Sequence, residues 1–205
     1  MKYIDIQKNL EKLKVFSSQD LKILDDKYDK SKIFKWKKKW YIQQIIRWYY
    51  IFSDIDLNEA ILYLISNKIY PPSYISLETA FSYYWLIPEQ VFTITWVSTR
   101  KTNEFKTAFG VFNYKKIKPK LFFWYNIVSM KGNKILLASL EKAILDYFYL
   151  YKNVSSTVDL EYLRWNKEVL KEKLDIKLLK KYSSLLGNNS VNKKIDLLDK
   201  YINND

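Results

Sequence analysis

Between Lys30 and Arg47 the chain carries seven cations and no anion: Lys30, Lys32, Lys35, Lys37, Lys38, Lys39 and Arg47. The segment before it is balanced, with Lys2, Lys8, Lys12, Lys14, Lys22 and Lys27 against Asp5, Glu11, Asp20, Asp25, Asp26 and Asp29. Cations concentrated in this way suit a polyphosphate backbone, where each lysine that neutralises a phosphate adds about 0.9 to the salt slope of binding. Ser31, Gln43 and Gln44 supply neutral groups that can hydrogen-bond base edges or backbone. The candidate DNA-binding residues are therefore Ser31, Lys32, Lys35, Lys37, Lys38, Lys39, Gln43, Gln44 and Arg47, against the plainer alternative of a solvated lysine face. A second basic surface, Arg100 and Lys101 with Lys106, suits a phosphate backbone or an acidic protein surface, and equally a solvated turn.

Other chemistry has few residues to rest on. There is no Cys and no His, which removes disulfides, thiolate or imidazole metal ligands, Cys nucleophiles and His-based triads. Asp54 and Asp56 have the Asp-x-Asp spacing of a Mg²⁺ pair. No third carboxylate lies near them and no Gly-rich phosphate loop precedes them, so Asp56 reads better as a helix N-cap. A carboxylate-based nuclease or transferase would need a cluster of acids that the sequence does not display. No catalytic residue, metal, cofactor or small-molecule substrate is expected. The eighteen Tyr fall mostly at core periods and read as packing rather than base-stacking platforms.

The elements that must carry these residues follow from composition and period. A chain of 205 residues with 48% hydrophobic content supports one large domain or two small ones. Thirty-five Lys and Arg against twenty-two Asp and Glu leave +13, which favours a polyanionic partner. An AT-rich genome also inflates Lys, so where the charge sits says more than its sum. No run approaches the roughly 18–20 apolar residues of a membrane span, and the first residues lack the apolar core of a signal peptide. A cytoplasmic protein without membrane contact is expected.

Apolar spacing predicts a helix over about Tyr3–Lys14. Ser17 and Asp20 have the spacing of a capping box that opens a second helix running to about Asp26. The lysine-rich stretch from Lys30 suits a third helix with a basic outer face, and the β-branched and aromatic run Tyr41–Phe52 suits a hairpin turning near Gln43–Trp48. Three helices and a hairpin predict a winged helix over 1–54. Asp56 and Glu59 then suggest a capped helix bearing Leu57, Ala60, Ile61, Leu64 and Ile65. Another helix is expected over Leu77–Tyr84, capped by Ser76. An alternation of period two places Phe92, Ile94 and Trp96 opposite Thr93, Thr95 and Val97. Strands are expected over Phe105–Lys116, Leu121–Met130 and Lys134–Leu137, and helices from Ser139 and over Asp159–Lys173, Asp175–Leu186 and Val191–Ile202. The expected fold is α+β, with a mixed domain at 55–205 built on an antiparallel sheet and C-terminal helices.

Several ordered motifs carry a resemblance. They are Pro72-Ser73-Tyr74-Ile75-Ser76-Leu77-Glu78-Thr79-Ala80-Phe81-Ser82-Tyr83-Tyr84 with Leu86-Ile87-Pro88-Glu89, then Val97-Ser98-Thr99-Arg100-Lys101-Thr102. Phe105-Lys106-Thr107, Phe109-Gly110-Val111-Phe112-Asn113-Tyr114 and Ile117-Lys118-Pro119-Lys120-Leu121-Phe122-Phe123 come next, and Ala138-Ser139-Leu140-Glu141-Lys142-Ala143-Ile144-Leu145-Asp146 closes the series. Over about residues 15–150 the chain resembles AbiEi-type antitoxins of the type IV toxin–antitoxin systems linked to phage defence. The resemblance implies an N-terminal winged helix that represses the operon's own promoter on double-stranded DNA. It also implies a C-terminal domain that opposes a nucleotidyltransferase-like toxin without a stable complex. It supplies no catalytic residues, and it implies structural roles for Ser76 and Ser139 as caps and for Pro88 and Pro119 as turns. The alternative is a stand-alone winged-helix regulator without a toxin partner.

Glycine and tryptophan are out of proportion. The chain has three Gly and seven Trp, where about 7% Gly would give roughly fourteen. Trp40, Trp48, Trp85 and Trp124 stand where the family pattern has Gly, at turn positions that favour φ > 0. Such an exchange arises when UGA codons that a reassigned code reads as Gly are translated as Trp. Trp36 fits an apolar helix position, and Trp96 and Trp165 are open.

Overall fold

The Ser17 side chain accepts from the Asp20 amide and the Asp20 carboxylate accepts from the Ser17 amide, so the predicted capping box opens a helix as expected. A computed structural model describes residues 3–89 and 93–203. Helix α1 (Tyr3–Leu10) ends in a 3₁₀ turn (Glu11–Leu13) and leads into strand β1 (Val15–Ser17). Helices α2 (Ser18–Leu24) and α3 (Lys30–Lys38) follow, then the hairpin β2 (Ile42–Ile46) and β3 (Tyr49–Phe52). The three strands form an antiparallel sheet in the order β1-β3-β2. Strand β1 is not evident in the sequence, because three residues are too few to reveal a period.

This small sheet is apolar on both faces. Phe16, Ile42, Tyr50 and Phe52 point into a core shared with Ile6, Leu10, Leu21, Ile33 and Trp36. Their neighbours Val15, Ile45 and Ile51 turn the other way and join the larger core of the molecule. Successive strand residues face opposite sides, so the sheet is a shared wall between the two cores. Helix α4 (Glu59–Ile69) packs against β1 across this wall.

The larger core is built on β4 (Ser73–Ile75), α5 (Leu77–Tyr83), β5 (Thr93–Ser98), β6 (Asn103–Thr107), β7 (Gly110–Lys116), β8 (Tyr125–Met130) and β9 (Asn133–Ala138). Helices α6 (Leu140–Leu150), α7 (Thr157–Tyr162), α8 (Lys167–Lys173), α9 (Ile176–Leu186) and α10 (Asn189–Asn203) complete it. The six strands lie in the order β6-β7-β5-β4-β9-β8. The fold is α+β, but the sheet is mixed rather than antiparallel: β5 pairs with β7 and β4 with β9 in parallel. Period-two alternation reports which face a side chain takes and carries no strand direction, which is why the sequence misleads here. The expected strand Phe105–Lys116 is two strands turning at Ala108 and Phe109, and the expected helix Asp159–Lys173 is α7 and α8. Phe92 of the expected alternation lies outside the described residues.

Two expected caps differ. Asn58, not Asp56, caps α4 by accepting from the Ile61 amide at 3.3 Å, and Leu57 is exposed. Ser76 occupies the N-cap position of α5 but makes no cap bond, because its hydroxyl donates to Asp146 at 2.9 Å. Ser139 caps α6 as expected. Among the described residues no helix is long and apolar enough to cross a membrane.

Eight described non-glycine residues have φ between +46° and +75°, and four of them are Trp40, Trp48, Trp85 and Trp124. These are the four tryptophans that stand at expected glycine positions.

Candidate nucleic-acid interface

Helix α3 is started by Asp29, whose carboxylate accepts from the Ser31 amide at 2.9 Å and from the Ser31 hydroxyl. The Ser31 hydroxyl bond, with the amide bond behind it, holds the Asp29 carboxyl below its ordinary range. Ile33 and Trp36 bury one side of the helix. At 100° per residue the opposite side is Ser31, Phe34, Lys35 and Lys38, all exposed. Lys35 and Lys38 make no direct ion pair among the described residues, although the Lys35 charge helps to hold the Asp29 carboxyl down.

The flanks of α3 are tied to their neighbours. Toward the hairpin, the Lys37 ammonium donates to the Gln44 side-chain carbonyl on β2, and Gln44 donates to the Ile46 carbonyl at 3.3 Å. Lys30, on the same flank, sits 5.4 Å from the centre of the Trp48 ring, and the Arg47 guanidinium lies 4.7 Å from it. Toward α2, Lys32 pairs with Asp25 at 3.5 Å. Beyond the helix, Lys39 lies 5.9 Å from the Tyr41 ring. Gln43 is half-buried. Burial pushes the hydroxyl of Tyr28, which precedes the cap, up to about 12.

A cleft of about 390 Å³ opens between α2, α3 and the hairpin turn, lined by Ser17, Ser18, Gln19, Lys22, Lys30, Trp48 and Tyr49. The structure thus brings Lys30, Lys37, Gln44 and Arg47 to one side of α3, while Ser31, Lys35 and Lys38 share its outer face. Two residues of this surface are not among the sequence candidates. Lys22 reaches the cleft, and Phe34 is 70% exposed where an aromatic among lysines is expected to be core. Its spacing with Ser31, Lys35 and Lys38, at i, i+3, i+4 and i+7, is the available signal.

The second basic group belongs to the larger sheet. Arg100 lies 4.2 Å from the Tyr70 ring and donates to the Pro71 carbonyl at 3.4 Å. The Lys101 carbonyl accepts from Tyr70 Oη at 2.8 Å, and Lys106 pairs with Glu104 at 3.5 Å. Lys106 is on β6, an edge strand that approaches β2. The charges of Arg100 and Lys106 are thus partly satisfied within the protein, whereas Lys38 on the outer face of α3 has no such contact among the described residues.

Asp54 accepts from the Gln7 side chain at 2.9 Å. Among the described residues no group of three or more acids could hold a metal ion. The fully buried ion pair of Lys142 with Asp146 is enclosed: Tyr74 and Ser76 donate to the same carboxylate at 2.8 and 2.9 Å. Burial pulls Lys142 down and pushes Asp146 up, yet the clefts around the α2–α3 unit and α4 do not reach the pair. It ties α6 to β4.

No family model matches the chain, and no curated protein matches it.

Proposed function

We propose that the chain is a DNA-binding repressor acting on its own promoter, with α3 as recognition helix and the β2–β3 hairpin as wing. The observation that carries this reading is connectivity: helix, strand, helix, helix and hairpin, with sheet order β1-β3-β2. We read this order as that of a winged helix, whose last helix would enter the major groove while the hairpin meets the flanking backbone. Charge agrees with it, since Lys35 and Lys38 on the outer face of α3 make no direct ion pair among the described residues, the Lys35 charge reaching only the Asp29 carboxylate at the start of the helix.

Phe34 on that face is suited to contact a thymine methyl, and Lys35, Lys37 and Lys38 to contact phosphates. The ordered motifs from Pro72 to Asp146 support assignment to the AbiEi-type antitoxins, and with it antagonism of a nucleotidyltransferase-like toxin in the cytoplasm. A gel shift with the duplex upstream of the gene tests the DNA reading, and co-expression with the neighbouring gene product tests the antitoxin reading. A promoter-specific shift and rescued growth are expected. Equal binding of unrelated duplexes at physiological salt would contradict the repressor, and unrescued growth would contradict the antitoxin.

A further inference from the structure

We propose that Trp40, Trp48, Trp85 and Trp124 are glycines in the natural protein, encoded by UGA in a host that reads this codon as Gly, and that Trp36, Trp96 and Trp165 are genuine tryptophans. The structure divides the seven residues without overlap. Trp40, Trp48, Trp85 and Trp124 have φ of 54°, 75°, 63° and 54°. Trp36, Trp96 and Trp165 lie outside the left-handed region and are 8%, 0% and 5% exposed. Only a few per cent of non-glycine residues have φ > 0, with Asn, Asp and His enriched among them; here the four tryptophans share the region with Lys14, Leu77, Lys131 and Arg164.

The hydrogen bonds identify what these positions are for. At the end of α3, the Tyr41 amide donates to the Trp36 carbonyl at 3.0 Å and the Trp40 amide to the Lys37 carbonyl at 3.0 Å. At the end of α5, the Leu86 amide donates to the Phe81 carbonyl at 2.8 Å and the Trp85 amide to the Ser82 carbonyl at 3.1 Å. These are two Schellman caps, whose left-handed residue is ordinarily Gly. Gly187, with φ of 65°, donates to Ser184 in the same way after α9. Trp48 occupies the hairpin turn between Ile46 and Tyr49, another position at which Gly relieves a positive φ.

The side chains agree with the backbone. Trp40, Trp85 and Trp48 are 75%, 73% and 43% exposed, so their rings contribute little to the core. Trp96 fills the centre of the larger core although its indole N–H meets no acceptor, and Trp165 packs edge-on against Phe81 at 5.1 Å. Trp124 is half-buried, packed against the larger core and stacked on Tyr182, and the Trp48 ring carries Lys30 and Arg47.

One consequence rests on the DNA-binding reading. With Gly at 48, the ring over which Lys30 and Arg47 now sit is gone. Both cations then extend from the widened cleft toward a phosphate, and the natural wing tip is Arg-Gly.

The gene and the natural protein decide the matter independently of any DNA binding. Expected are UGA at 40, 48, 85 and 124, UGG at 36, 96 and 165, and tryptic peptides from the natural host with the mass of Gly at the four positions. UGG at any of the four overturns the proposal. As a check on its structural basis, the Trp40→Gly/Trp48→Gly/Trp85→Gly variant should melt about 5 °C or more above the Trp form. A lower melting temperature would overturn that basis. For the wing, Trp48→Gly should tighten binding to the upstream duplex; unchanged or weaker binding would overturn the freed-cation consequence while leaving the codon result standing.

Discussion

The Lys142 ammonium donates to the Asp146 carboxylate one turn further along α6, and both side chains are shut off from solvent. Tyr74 on β4 and Ser76 after it complete the carboxylate's partners from the neighbouring strand. A buried pair contributes little when compared with apolar residues of the same shape, but removing one partner strands the other. Lys142→Met should therefore lower stability by about 3–5 kcal/mol, and Lys142→Met/Asp146→Asn by less than the sum of the single changes. Urea unfolding of the three variants reads this coupling; additive losses would contradict it.

Lys194 on α10 closes the far end of α6. Its ammonium donates to the Phe148 carbonyl at 2.8 Å and to the Tyr151 carbonyl, where the α6 carbonyls lack helical partners. Lys194→Met should cost about 1–3 kcal/mol by leaving buried acceptors unmet. Equilibrium unfolding measures it, and a neutral substitution would show that water serves those carbonyls as well.

The shared wall between the two cores makes Ile51 a residue of both units in effect. It is 1% exposed and pairs with Val15 and Gln43 across the small sheet while its side chain enters the larger core. Ile51→Ala should lower stability by about 2–5 kcal/mol and produce one transition rather than two in calorimetry. Two separated transitions would mean that the N-terminal unit melts independently of the rest.

Asp159 titrates unusually low. The Ser155 amide at 2.7 Å is the leading cause, joined by the Ser155 hydroxyl and by Ser156, and together they bring its carboxyl to about 2. A folded value below the ordinary 3.8 means that this contribution is present above the unfolded value and is lost as pH falls toward the folded one. Asp159→Asn should remove that part of the acid dependence of stability. An unchanged acid limb in the melting temperature between about pH 4 and pH 2 would exclude Asp159 as its source.

Much of the local structure is legible in the sequence. The Ser17–Asp20 box, the basic third helix, the hairpin, α6 and the last two helices follow from caps and periods that depend on neighbours in sequence. Strand direction in the larger sheet is not legible, because the β5–β7 and β4–β9 pairings join residues far apart in the chain. The cap of α4 is misplaced because Asp56 and Asn58 are both good cap residues, and the backbone turns at the second. The candidate site is legible as a set of lysines. Which of them remain unpaired is not, since Asp25 and Gln44 reach Lys32 and Lys37 only after folding. The left-handed tryptophans are legible as a glycine deficit beside a tryptophan excess, and only the backbone shows which four of the seven stand at φ > 0.

The salt dependence of binding to the upstream duplex tests the central claim most directly. A linear fall of log K with log salt is expected for the unsubstituted chain. For Lys35→Gln/Lys37→Gln/Lys38→Gln the slope should be shallower by up to about 2.7, at about 0.9 for each phosphate no longer neutralised. An unchanged slope and affinity in the triple variant, with the fold intact by circular dichroism, would contradict the assignment of α3 as the element that meets DNA.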